Sequence, residues 1–290
     1  MLKTTSRALT AMVLGASVAG TSAAADEVTI GWTAWSDAEF ITKLAEKVLV
    51  DHGGYEVTLT QTDIAPQYQG IASGDIDAML MSWQPGTHGD YLDGIAGEYI
   101  DLGPLYTGAR LGWVVPDYIP EDELSSISDL KNDEVRDRLD GEITGIDPGA
   151  GLSNLSEQAM EDYALDGYDL QFSSGAGMTA ALDRAIGRDE WIVVTGWSPH
   201  WKFGAYQLAF LDDPRGALGG AETIHALARL GFDEDHPQIA AFIGCMDYDL
   251  EMLNDYLFIG RDESTEAAVD RFFEQETELI SAWAACATEQ

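Results

Sequence analysis

Between Val28 and Thr195 the chain alternates short apolar runs with amphipathic stretches, and it does so twice. The first series reads as a strand at Val28–Trp32, a helix from Ser36 and a strand at Tyr55–Thr60. A helix around Tyr68–Ser73 and a strand at Ile76–Trp83 complete it. Ser36-x-x-Glu39 has the form of a capping box, Phe40, Ile41, Leu44 and Val48 fall on one helical stripe, and His52-Gly53-Gly54 ends the helix. The second series starts after Pro116, with strands at Glu142–Ile146, Asp169–Ser173 and Trp191–Thr195 and helices at Asn154–Leu165 and Met178–Gly187. Strand-helix-strand units of this length call for an α/β fold built on mostly parallel sheet with helices on both faces. The charge-rich segment Tyr118–Asp140 separates the two series, and Thr223 to Thr288 reads as mainly helical. Two α/β domains are therefore expected, with the C-terminal helices covering the first.

At 290 residues the chain is long enough for two modest cores, and 46% hydrophobic residues is ordinary for a globular protein. Lys3 and Arg7, the apolar stretch Ala8–Ala19 and Ala23-Ala24-Ala25 have the form of a cleavable export signal over residues 1–25. The mature chain would begin at Asp26 in a periplasm. Cys245 and Cys286 suit such an oxidising compartment, either as a disulfide that ties the C-terminal segment back or as two buried thiols.

The net charge is −36, and without Lys3 and Arg7 it becomes −38, from 13 basic and 51 acidic residues. Such a charge excludes nucleic acid and anionic membrane as partners. The acids are dispersed rather than gathered in a tail, the pattern of a protein kept soluble in high salt. There is no G-x-S-x-G, no H-E-x-x-H and no calcium-loop pattern, and five scattered histidines give no metal-ligand spacing. Neither an enzyme nor a bound cofactor or metal is expected.

In open α/β sheets ligands lie beyond the carboxyl ends of the strands. Trp32 and Trp35 follow the first strand, Trp83 ends the third, and Trp197 follows the last strand of the second series with Trp201 close behind. Several indole faces turned inward form a box for a quaternary ammonium. The turn "GIDPGAGLSN" (Gly145 to Asn154) leads from a strand into a helix, so the N–H groups of Gly151 and Leu152 are placed to hold a small carboxylate. His88, in "SWQPGTHGD", is placed to donate to the same carboxylate; His200 is read as structural.

The stretches "GWTAWSDAEF", "YEVTLTQ", "SWQPGTH", "GIDPGAGLSN" and "VVTGWSPHWKF…LAFLDDP" resemble the substrate-binding proteins of ABC importers for glycine betaine and related osmolytes. The resemblance covers most of Val28 to Asp213. It implies a two-domain periplasmic-binding-protein fold (type II-like) with the ligand cleft between domains that close by a hinge. Residues 26–113 and 214–290 would form one domain and residues 114–213 the other, with crossings near Gly112–Pro116 and Leu208–Pro214. By the same resemblance Trp35, Trp83 and Trp197 cage the trimethylammonium group, while Gly151, Leu152 and His88 meet the carboxylate. Tyr68 would stand at the rim. The implied partners are a small zwitterion such as glycine betaine and the membrane subunits of an ABC transporter, with the binding protein a monomer. Choline would fill the cage but leave the carboxylate donors unmatched. Carnitine, proline betaine and dimethylsulfoniopropionate would satisfy both.

Overall fold

The computed structural model describes residues 27–288; the export signal expected over residues 1–25 lies outside the described residues. The first series forms β1 (Glu27–Trp32), α1 (Ser36–Val48), β2 (Glu56–Gln61), α2 (Ile64–Ser73), β3 (Ala78–Gln84) and the short α3 (Gly89–Gly94). A long strand, β4 (Tyr99–Pro116), follows. The second series forms α4 (Asp133–Arg138), β5 (Glu142–Thr144), α5 (Gly151–Asp162), β6 (Asp169–Gln171) and α6 (Gly175–Ile186), then β7 (Val194–Ser198), α7 (Lys202–Ala205) and β8 (Leu208–Phe210). The chain ends with β9 (Ala221–Arg229), α8 (Phe232–Asp235), α9 (Pro237–Gly244), α10 (Leu250–Asp262), α11 (Thr265–Gln275) and α12 (Thr277–Cys286).

The strands form one sheet in the order β2-β1-β3-β9-β4-β7-β5-β6, with β8 added to β4. The expectation of a mostly parallel sheet is corrected here. Parallel pairing is confined to the two flanks, β2-β1-β3 and β7-β5-β6, while β4 and β9 run antiparallel through the middle. The tail is mainly helical as expected, but its first seven residues, Thr223 to Arg229, belong to β9. β4 joins the flanks: it pairs with β9 from Tyr99 to Arg110 and with β7 from Arg110 to Val114. Its ladder to β9 shifts register beside Gly103 (φ 119°) and Gly108 (φ 79°), where a side chain would strain the backbone.

The stripe predicted on α1 is buried: Phe40, Ile41, Leu44 and Val48 face inward, and α11 and α10 pack against the same helix. The capping box does not form. Trp35 is the extended N-cap, one residue earlier than expected, so the Ser36 hydroxyl sits inside the first turn without a partner among the described residues, and Glu39 accepts from Lys43 instead (2.6 Å). One hydrophobic cluster gathers the first series and the C-terminal helices. A second is built around Trp113, Ile127, Ile143, Tyr163 and Val193. Trp113 is a packing indole, fully buried, with its Nε1–H donating to Ser156 Oγ (2.9 Å). A Cys245–Cys286 disulfide pins the end of α12 to the end of α9, so the open question about the two cysteines resolves to a bond. No helix among the described residues is long and apolar enough to cross a membrane.

Candidate functional site

The ends of β1, β3 and β7 and the start of α5 converge on one cavity. Trp35, Trp83, Trp197, His88, Gly151 and Leu152 all line it. β3 and β7 run in opposite senses, because the antiparallel β9 and β4 lie between them, so their carboxyl ends meet across the cavity from the two facing flanks and not along one sheet edge. The three indoles are almost completely buried, and the Trp35 and Trp197 rings lie 6.3 Å apart, inclined at 57°. Wall positions that the sequence reading missed are Thr87, Leu111, Ile146 and Ala150. Leu111 comes from β4, the strand that had not been recognised.

Each indole is fixed at its N–H. Trp35 Nε1 donates to Asp147 Oδ2 (3.2 Å), Trp197 Nε1 to Asp37 Oδ1 (3.1 Å) and Trp83 Nε1 to the Met81 sulfur (3.3 Å). The first two bonds run in opposite senses between the two series: an indole from each is held by a carboxylate from the other. Asp37 and Asp147 were therefore missed although both lie inside the quoted motifs; the signal available was a carboxylate next to a strand-end indole. Asp37 is fully buried and also accepts from Tyr106 Oη (3.1 Å). Burial raises its carboxyl above the usual carboxylate range, partly offset by the Trp197 and Tyr106 bonds.

His88 is buried, and its protonation is set by two facts. The Trp83 backbone N–H donates to His88 Nδ1 (3.0 Å), which makes Nδ1 the acceptor and leaves the proton of a neutral ring on Nε2. Burial pushes its pKa down to about 3, so the ring is neutral at ordinary pH. Among the described residues Nε2 has no hydrogen-bond partner. The site thus holds a buried, unspent N–H donor. At 1% exposure, His88 is no surface residue, although it immediately precedes α3.

Gly151 opens α5 behind Ala150, an N-cap with no side chain able to accept, and the first-turn N–H groups have no carbonyl one turn back within the helix. Glycine is required there. A Cβ would stand 2.3 Å from the Thr87 carbonyl oxygen and 3.0 Å from His88 Cδ2. The Thr87–His88 turn and the α5 N-terminus are therefore in direct contact, which brings the His88 donor and the Gly151 and Leu152 amides to one end of the cavity. Glu222 holds the turn from below, accepting from the Thr87 N–H (2.9 Å).

Tyr68 is not at the rim. It is fully buried behind His88, donating to or accepting from Ser82 (2.9 Å), with its ring edge-on to the imidazole at 5.6 Å. His200 is structural as expected: buried and kept neutral by burial, it accepts from the Lys202 N–H (3.0 Å). Trp32 stays outside the cavity, beside Lys43. Trp201 stands apart from it too. Lys202 is fully buried with Nζ 4.3 Å from the Trp197 ring centroid and, among the described residues, no hydrogen-bond partner; burial lowers its pKa well below the lysine range.

A family model for the substrate-binding domain of ABC-type glycine betaine transport systems matches residues 26–275. A solved glycine betaine/L-proline-binding protein from Borrelia burgdorferi is 33% identical, with a TM-score of 0.84 over 91% of this chain and 99% of that one. A lactococcal binding protein solved closed on glycine betaine is 30% identical, with a TM-score of 0.82 over 89% of this chain and 99% of that one. A curated glycine betaine/carnitine transport binding protein of Listeria monocytogenes is 35% identical over 158 residues. The chain spans about half the length of the curated relatives it matches, 52% and 53%. The likeness to the solved structures bears out the expected periplasmic-binding-protein type of fold, and the relatives are transport proteins rather than enzymes. On the span of the family match, the chain belongs to the family of substrate-binding domains of ABC-type glycine betaine transport systems.

Proposed function

We propose that the chain captures glycine betaine, or a close betaine, and delivers it to the membrane subunits of an ABC importer. The observation that carries this reading is the chemical division of the cavity. Indoles line it, while His88 Nε2–H, with no partner, and the first-turn amides of Gly151 and Leu152 meet at one end. A trimethylammonium group fits among Trp35, Trp83 and Trp197, and a carboxylate fits the donors.

The magnitudes suffice. A desolvated cation–π contact is worth about 2 kcal/mol, so three give roughly 6 kcal/mol. Charge-assisted hydrogen bonds add about 1.5–3 kcal/mol each before the entropy of binding is charged. Micromolar affinity needs about 8 kcal/mol. The net charge of −36 is no obstacle, because a zwitterion carries no net charge. A buried aromatic cage also keeps its strength in salt, which screens exposed ion pairs and spares buried contacts.

The same reading makes the protein a periplasmic monomer of saline surroundings, exported on residues 1–25. Residues 26–113 with 214–290 form one domain and residues 114–213 the other, rotating about crossings near Gly112–Pro116 and Leu208–Pro214. Calorimetry on Trp197→Ala tests the cage. Loss of one desolvated cation–π contact predicts at least about tenfold weaker glycine betaine binding. Affinity within about twofold of wild type would sink the cage.

A further inference from the structure

Trp35 and Trp197 wall a second cavity as well as the first. It is roomier than the inner one and lies among α1, α6, α7 and α10. Its lining adds a third indole, Trp201, together with the Glu39 carboxylate from α1 and the Arg261 guanidinium from α10. Ser36 Oγ, also in this lining, is buried and unpartnered. The two charges come from different helices and cancel. Glu39 is met by Lys43 (2.6 Å), and Arg261 lies 5.6 Å from the Trp201 ring centroid with Asp262 at 2.6 Å.

This lining is the inner site's chemistry in a wetter setting: indoles for a cation, a carboxylate beside them and a guanidinium for an anion. We propose that the outer cavity is a second, weaker site for the same class of ligand, a small zwitterion of quaternary ammonium and carboxylate. The proposal rests on the reading of the inner site. The ammonium lies against the indoles on the Glu39 side, and Arg261 takes the carboxylate. A ligand there shares the indoles Trp35 and Trp197 with the inner cavity.

The outer site differs from the inner one in its response to salt. Glu39 and Arg261 are 28% and 38% exposed, so their attraction for the ligand is screened, whereas the inner donors are buried. Outer binding is therefore the weaker and falls as salt rises, while inner binding holds.

Equilibrium dialysis of the full chain with radiolabelled glycine betaine, from micromolar to tens of millimolar, tests this at low and high salt. Two ligands per chain are expected at low salt, with the second lost at high salt and in both Trp201→Ala and Arg261→Gln. Using two variants guards against one that misfolds, and tight binding of the first ligand shows which are folded. One tight ligand and no second at any concentration overturns the outer site and leaves the inner reading standing. A second ligand that persists in both variants overturns the assignment to this cavity. No binding at all overturns the inner reading and this one with it.

Discussion

Acidification from pH 6.5 to 4.5 should weaken the protein by about 2–3 kcal/mol through His88 alone, since each pH unit between its two pKa values is worth about 1.4 kcal/mol. The unfolded ring titrates near its ordinary value of 6.5, whereas burial holds the folded one down to about 3. Between those values the unfolded chain binds the extra proton and the native chain does not, so stability falls as pH falls and levels off only below about 3. No discount for solvent applies, because the ring is 1% exposed. Burial is the cause of the lowered value, and a proton on Nδ1 would in addition face the Trp83 backbone N–H, which now donates to that atom at 3.0 Å. Urea unfolding of wild type and His88→Gln at pH 6.5, 5.5 and 4.5 isolates the effect. The many carboxylates titrate in both proteins and cancel in the difference. The stability of wild type relative to His88→Gln should drop by about 1.4 kcal/mol per pH unit. A flat difference, or one of opposite sign, would refute the buried neutral ring and with it the free Nε2 donor.

Gly151→Ala should abolish tight betaine binding, because its Cβ would meet the Thr87 carbonyl at 2.3 Å and push the α5 amides away from His88; calorimetry reads the loss. Lys202→Met should stabilise the protein at pH 7 by about 1–3 kcal/mol, the cost of an unpartnered buried polar group. Because the folded lysine has the lowered pKa, wild-type stability rises with pH toward 10.5, and the variant should lack that slope in urea titrations at pH 7 and 9. Small-angle scattering should show compaction on adding glycine betaine, and an unchanged radius of gyration would count against hinge closure.

The elements that carry the site were legible because their signals are local. The apolar runs ending at Trp32 and Trp83 and the glycine turn before Asn154 each announce a strand end or a helix start. The candidate residues lie at or near such points, although Trp197, expected after its strand, stands inside β7, and all six line one cavity. β4 was not legible: glycines at 103 and 108 shift its ladder, which breaks the strict alternation that marks a strand. β9 was absorbed into the helical tail that follows it. Because β4 and β9 are the antiparallel pair in the middle, missing them gave a mostly parallel sheet on paper. The indole clamps were illegible for another reason. Asp37 reaches Trp197 across 160 residues and Asp147 reaches Trp35 across 112, so only the meeting of the two series reveals them. Ser36 shows the limit of motif reading at short range, since a helix that starts one residue early empties a capping box of its bonds.

The most direct test of the central claim is a tryptophan-fluorescence titration of the folded chain in high salt, with glycine betaine and choline in parallel. Choline offers the same cation and no carboxylate, leaving His88 Nε2 and the α5 amides unmatched. Each lost charge-assisted hydrogen bond is worth about 1.5–3 kcal/mol, and about 1.4 kcal/mol is tenfold in affinity. The account predicts saturation by glycine betaine at micromolar concentration and binding of choline at least about tenfold weaker. Equal or tighter binding of choline would contradict it.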